Sequence, residues 1–173
     1  LHPFQHVGVS FLVFDEEETG LKGSQAYLEA FGTDNLIGLI NQELVGMGEH
    51  VALWPLGPNS EGHIWEVFEQ VAASNGVMSQ RFDSLILNTA DHESIYGVGF
   101  EEAFTLTRFS NKDMAMTFGV SQQTLWEIIS EAPLFKHYHK PTDKSEHLDE
   151  KSLLQTAELI EETLRQMDRN WEG

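Results

Sequence analysis

The chain has 173 residues, 40% hydrophobic and 22% charged, a balance that suits one globular domain with room for a core. Its 28 Asp and Glu against 10 Lys and Arg give a net charge of −18, which repels phosphate backbones and anionic bilayers and argues against nucleic-acid and membrane-surface partners. No apolar run reaches the roughly 20 residues of a membrane span, and the absence of cysteine removes disulfides and thiolate chemistry from consideration.

The run HVGVSFLVF, His6 to Phe14, is apolar almost throughout and predicts a strand buried on both faces. It ends abruptly on Asp15, Glu16, Glu17 and Glu18, after which Gly20 and Gly23 mark a turn. SQAYLEAFG then reads as a short helix stopped by Gly32. Asn35 to Gly46 predicts a second buried strand, with Asn41, Gln42 and Glu43 set inside it, and HVALWPLG a shorter extended piece. Ser60 is placed to cap a helix with Ile64, Val67, Phe68 and Val71 on one stripe. Strands follow at Ser84 to Asn88 and Ala103 to Phe109, then a helix capped by Ser121, and a His-, Lys- and Pro-rich loop from Lys136 to His147. Asp149 caps a long final helix with Leu153, Ala157, Ile160, Leu164 and Met167 at core spacing.

Strands alternating with amphipathic helices predict an α/β fold, a three-layer sandwich with a mixed, mostly parallel sheet in a single domain over residues 1–173. Ligands in such folds gather at the carboxyl ends of the strands. Three polar features fall there: the acids Asp15 to Glu18, Glu43, and NTADH at Asn88 to His92.

Taken alone, each feature has an ordinary reading. An acidic run is most often a solvated turn, a single loop histidine such as His139 is most often exposed, and Asp91 can simply cap a short helix. His137 and His147 have no stronger claim from spacing. Yet adjacent residues on extended backbone point to opposite sides. Glu17 and Glu18 can therefore divide two tasks, one holding a metal and the other taking a proton from its water. Glu43, an acid in an apolar strand, needs either solvent or a partner.

The order of these segments resembles the zinc aminopeptidases of the bacterial leucyl aminopeptidase type, a family that also includes glutaminyl cyclases. FLVFDEEETGLKGSQAYL matches a strand followed by Glu-Glu-x-Gly-Leu-x-Gly-Ser, and INQELVG stands where the family has Asn-x-Asp-Met-x-Gly. ADHESIYGVGFEEAFTLTR is similar to the Ser-Asp-His segment, and YHKPTDKSEHLDEKSLLQTAELI to Tyr-His-Thr-Pro-x-Asp and the closing helix. The resemblance implies the C-terminal part of the zinc-exopeptidase fold and one or two zinc ions. It implies Glu17 as general base, Glu18 and His139 as ligands of one zinc and Glu43 of the other, with Tyr138 and Asp91 at the substrate. The implied substrate is a peptide with a free N-terminus, and the family's habit is secretion or a periplasmic location.

The departures are specific. The family draws its first zinc histidine and its bridging aspartate from upstream of the Glu-Glu strand, so the expectation is a domain completed by an upstream segment or a partner chain. Glu43 replaces the family's aspartate and Ala90 its serine. Two other readings stay open. One is a glutaminyl cyclase-like acyltransferase, although Tyr138 stands where that branch carries Trp. The other is a non-catalytic relative kept for binding or assembly.

Overall fold

The computed structural model describes residues 3–56, 62–82, 90–113 and 131–171. Four strands form one mixed sheet among the described residues: β1 (Leu39–Gln42), β2 (His50–Trp54), β3 (Ser79–Arg81) and β4 (Ala103–Phe109). Their order is β1-β4-β2-β3, with β1/β4 and β2/β3 parallel and β2/β4 antiparallel. The helices are α1 (Lys22–Phe31), α2 (His63–Ser74), α3 (His92–Tyr96) and α4 (Glu150–Arg169). The α/β class expected from the sequence is the observed one. The Ser60 cap, the Ser84–Asn88 strand and the Ser121 helix lie outside the described residues.

Alternation along β2 and β4 sends side chains to two different layers. Val51, Leu53, Phe104 and Leu106 join Ile64, Phe68 and Val71 of α2 and Leu159 and Met167 of α4 in the main core. Ala52, Trp54 and Phe109 point the other way, into a smaller cluster with Ala90 just ahead of α3. On that second face α1 packs against α3, and α3 against β4. β4 is buried along its whole length, so Thr105, Thr107 and Arg108 must all find partners inside the protein.

The apolar stripe of α2 is the one the sequence predicts, but the helix begins at His63 and its first amides are satisfied from afar. The Glu102 carboxylate accepts from the N–H groups of His63 and Ile64, placing negative charge at the positive end of the helix. For α4, Asp149 is the N-cap as expected, accepting from the Lys151 and Ser152 amides. The buried stripe of α4 differs from the predicted one. Ser152, Thr156, Leu159, Thr163 and Met167 are buried, whereas Leu153 is exposed. The helix turns its hydroxyl side inward because the buried Arg108 guanidinium needs acceptors, and it finds Thr156, Gln155 and the Gly48 carbonyl. Among the described residues no helix is long and apolar enough to cross a membrane.

The largest departure concerns His6 to Phe14. No residue of this run enters the described sheet, and Phe11 and Val13 are 86% and 97% exposed. The segment is held at both ends instead. The Asp168 carboxylate accepts the N–H groups of Gln5, His6 and Val7, and the Gly23 amide donates to the Asp15 carbonyl. Between these ties a cavity of about 400 Å³ separates the run from β1, walled in part by Ile160 and Leu164 of α4. A continuous apolar run suits an extended chain but supplies no neighbour, and this one pairs with no strand among the described residues. The second predicted strand is shorter than expected, since only Leu39–Gln42 pairs. Leu44, with φ 52°, turns the chain away directly afterwards.

Candidate active site

The acids that follow Phe14 form a 3-10 turn, Glu17–Thr19, with Glu16 before it at φ 57° and Gly20 after it at φ 108°. Four details of the GLKGS stretch fix this turn. Gly20 supplies the left-handed conformation, and the Leu21 side chain is buried. A Cβ on Gly23 would lie 2.5 Å from the Asp15 carbonyl oxygen, so only glycine allows the turn to fold back on α1. The Ser24 hydroxyl, fully buried, is 2.9 Å from that of Ser94 and ties α1 to α3.

Three further segments arrive at the same place. Glu43 follows the carboxyl end of β1, its amide donating to the Leu106 carbonyl of β4. Asp91 immediately precedes α3. Tyr138 and His139 come from the loop before α4, their rings stacked at 3.9 Å. The His139 Nε2 lies 2.6 Å from the Glu18 carboxylate, joining the first and last of these segments. His137 turns elsewhere and stacks on His147, ring centroids 3.9 Å apart.

Electrostatics registers the convergence. The Glu43 carboxyl is pushed up to about 7, first by burial and then by Glu17, Asp91 and Glu18. Glu17 is also raised, by burial and then by Glu18 and Asp91, with His139 opposing. Burial, followed by the charges of Glu18, Glu43 and Glu17, pushes the Tyr138 hydroxyl up to about 12, so it stays protonated at neutral pH. One Asp91 carboxylate oxygen is buried and has no hydrogen-bond partner among the described residues. Of the six residues singled out from the sequence, Glu18, His139 and Tyr138 are in direct contact, and the charges of Glu17, Glu18 and Asp91 act on Glu43.

Backbone strain clusters there too. Among the described residues, four non-glycine residues have positive φ: Glu16, Leu21, Leu44 and His139. Each lies in, or next to, a segment that delivers a site side chain. Such conformations cost on the order of 1–3 kcal/mol each and persist where surrounding structure imposes them.

Sequence reasoning assigned no role to Asn41, His92 or Thr105. The Asn41 amide donates to the Thr105 hydroxyl at 3.1 Å, and that hydroxyl lies 2.6 Å from His92 Nδ1. The available signal was Thr alternating with large apolar residues in AFTLTRF, since buried hydroxyls require partners.

A search of curated proteins finds no match to the chain. The sequence model of peptidase family M28 matches residues 2–164, which takes in every segment of the site described above. With that match over nearly its whole length, the chain belongs to peptidase family M28.

Proposed function

We propose that the protein hydrolyses N-terminal peptide bonds at a zinc site, with Glu17 as the general base. The observation that carries this reading is the meeting of Glu17, Glu18, Glu43, Asp91 and His139 from four separate segments, with Glu17 and Glu43 both raised. Carboxylates crowded in this way call for a cation, and an imidazole with carboxylates is a zinc donor set in type. Among the described residues no three such donors gather closely enough to hold an ion, whereas a catalytic zinc takes three protein ligands. In this reading Glu18 and His139 serve one zinc and Glu43 a second, and a further segment or a partner chain completes the set.

The chemistry bound zinc supplies is Lewis-acid polarisation of the scissile carbonyl and acidification of water. The residues of this chain do the rest. Glu17, raised toward neutrality by burial and its neighbours, takes the proton from the attacking water and returns it to the leaving amine. Tyr138, held protonated, donates a hydrogen bond to the substrate. Asp91, whose charge acts on both Glu17 and Glu43, stands at the wall of the substrate pocket.

The test separates base from ligand in the intact protein. Glu17→Gln should lower kcat on an aminoacyl anilide by about 100-fold or more while zinc content by elemental analysis is kept. Glu18→Gln should lose zinc. Equal zinc loss in both variants removes the assignment. Release of free amino acid supports the peptidase reading, and pyroglutamate from a glutaminyl peptide would replace it with the cyclase. Absence of both products and of zinc would leave the non-catalytic relative.

A further inference from the structure

The polar chain Asn41–Thr105–His92 crosses the sheet from the strand that leads to Glu43 to the helix that begins beside Asp91. Thr105 is fully buried, His92 is 1% exposed, and Asn41 is the Cα partner of Thr105 in the β1/β4 ladder. The Asn41 Nδ2 can only donate, so Thr105 Oγ1 accepts from it at 3.1 Å. The hydroxyl keeps one proton and one further lone pair, so toward His92 Nδ1, at 2.6 Å, the direction follows the His92 tautomer. Donation by Thr105 is the arrangement that pairs the proton of this fully buried hydroxyl, and it places the His92 proton on Nε2. Burial agrees, pushing the imidazole down to about 4. The ring is clamped edge-on by Trp54 and Tyr96, with centroids at 5.1 and 5.7 Å, and Tyr96 is in turn anchored to the Ala103 carbonyl at the start of β4.

Each end of this chain abuts the site. Two residues beyond Asn41 stands Glu43, and the residue before His92 is Asp91, whose charge is among those acting on Glu43. We propose that Thr105 is a positioning residue: through Asn41 and His92 it fixes β1 against α3, and so holds the Glu43 and Asp91 carboxylates in one arrangement. The inference rests on the reading that both acids belong to the site, but the relay itself has an independent signature. It also accounts for a hydroxyl in the middle of a fully buried strand. An apolar residue there would pack as well but would leave two polar groups unpaired.

The experiment compares Thr105→Val, which keeps the shape and removes the hydroxyl, with Thr105→Ser, which keeps the hydroxyl. The imidazole nitrogens of His92 are followed by ¹⁵N NMR in the metal-free protein, and zinc affinity is measured by calorimetry. Wild type and Thr105→Ser should show a single neutral tautomer protonated on Nε2, with Nδ1 hydrogen-bonded. Thr105→Val should shift the Nδ1 resonance and weaken zinc binding by about tenfold or more, as loss of groups that orient metal ligands does. Asn41→Ala, at a half-buried position, breaks the β1 link alone. It should weaken zinc binding without changing the His92 tautomer. Unchanged His92 resonances and unchanged zinc affinity in Thr105→Val overturn the proposal, as does failure of Thr105→Ser to restore both. A Thr105-dependent tautomer with no zinc bound, even when the segment or partner that completes the set is present, upholds the relay and overturns the zinc reading.

Discussion

The two faces of the sheet are built on different principles. Against α2 and α4, β2 and β4 present Val51, Leu53, Phe104 and Leu106, and the contacts are mainly apolar apart from Arg108 and the buried α4 hydroxyls it draws inward. Against α1 and α3 the same strands present Ala52, Trp54, Thr105 and Thr107, with Trp54 bonded to Thr107 between β2 and β4 and Thr105 bonded to His92 of α3. The first face gains its stability from area removed from water, which is indifferent to direction. The second gives up some of that gain to fix polar groups in place, and it is the face whose helices border the acids. Strain and raised carboxyl groups gather on this side, as expected where structure is arranged for chemistry more than for stability.

The largest effect should come from emptying the apolar face. Phe104, fully buried and 5.5 Å from the Phe68 ring in an edge-on contact, has no polar role. Phe104→Ala should cost about 3–5 kcal/mol, the loss of transfer free energy plus a cavity. Urea melts should show the same loss at pH 5 and at pH 8. A loss that varies with pH would mean that the two faces are not separate in the way described.

On the other face the sign reverses, and charge removal should stabilise. Glu43 has its carboxyl raised from an ordinary 4.5 to about 7. The folded state therefore binds more protons than the unfolded one between these values. The stability tied to the protonated form is fully present below about 4.5 and is lost as pH rises through about 7. Ionised Glu43 thus destabilises the metal-free protein above that pH, by less than the full shift because the carboxylate is partly exposed and screened. Glu43→Gln, measured with chelator present, should be more stable than wild type at pH 8 and no more stable at pH 4.5. An equal gain at both values would show that shape, not charge, sets the effect.

The same division explains what the sequence revealed. The stripe of α2 is a local pattern, and a local pattern translates directly into a buried face. The turn that carries Glu17 and Glu18 was legible from motif order, because Gly20 and Gly23 are forced by backbone geometry near the acids. Contacts made by residues distant in sequence were not legible. Asn41 meets Thr105 across 64 positions, Glu102 caps α2 from 38 positions away, and Arg108 draws α4 about its axis toward Thr156. The run His6 to Phe14 failed for a related reason. Its pattern states how the chain is extended, and nothing in it states which strand lies beside it.

The smallest expected effect probes the polar face most finely. Trp54 Nε1 donates to the Thr107 hydroxyl at 3.0 Å, and both side chains are buried. Thr107→Val keeps the volume but strands the indole N–H, which should cost about 1–3 kcal/mol, the desolvation of an unmet donor. Trp54→Phe alone removes the donor and some apolar area while leaving the Thr107 hydroxyl without it. If the bond matters because both groups are buried, the double variant should be more stable than the two single losses added together. The coupling is expected at about 1 kcal/mol, read from urea melts of the four proteins at one pH. Strict additivity would mean that the indole and hydroxyl are held by packing alone. The second face would then differ from the first in composition and not in principle.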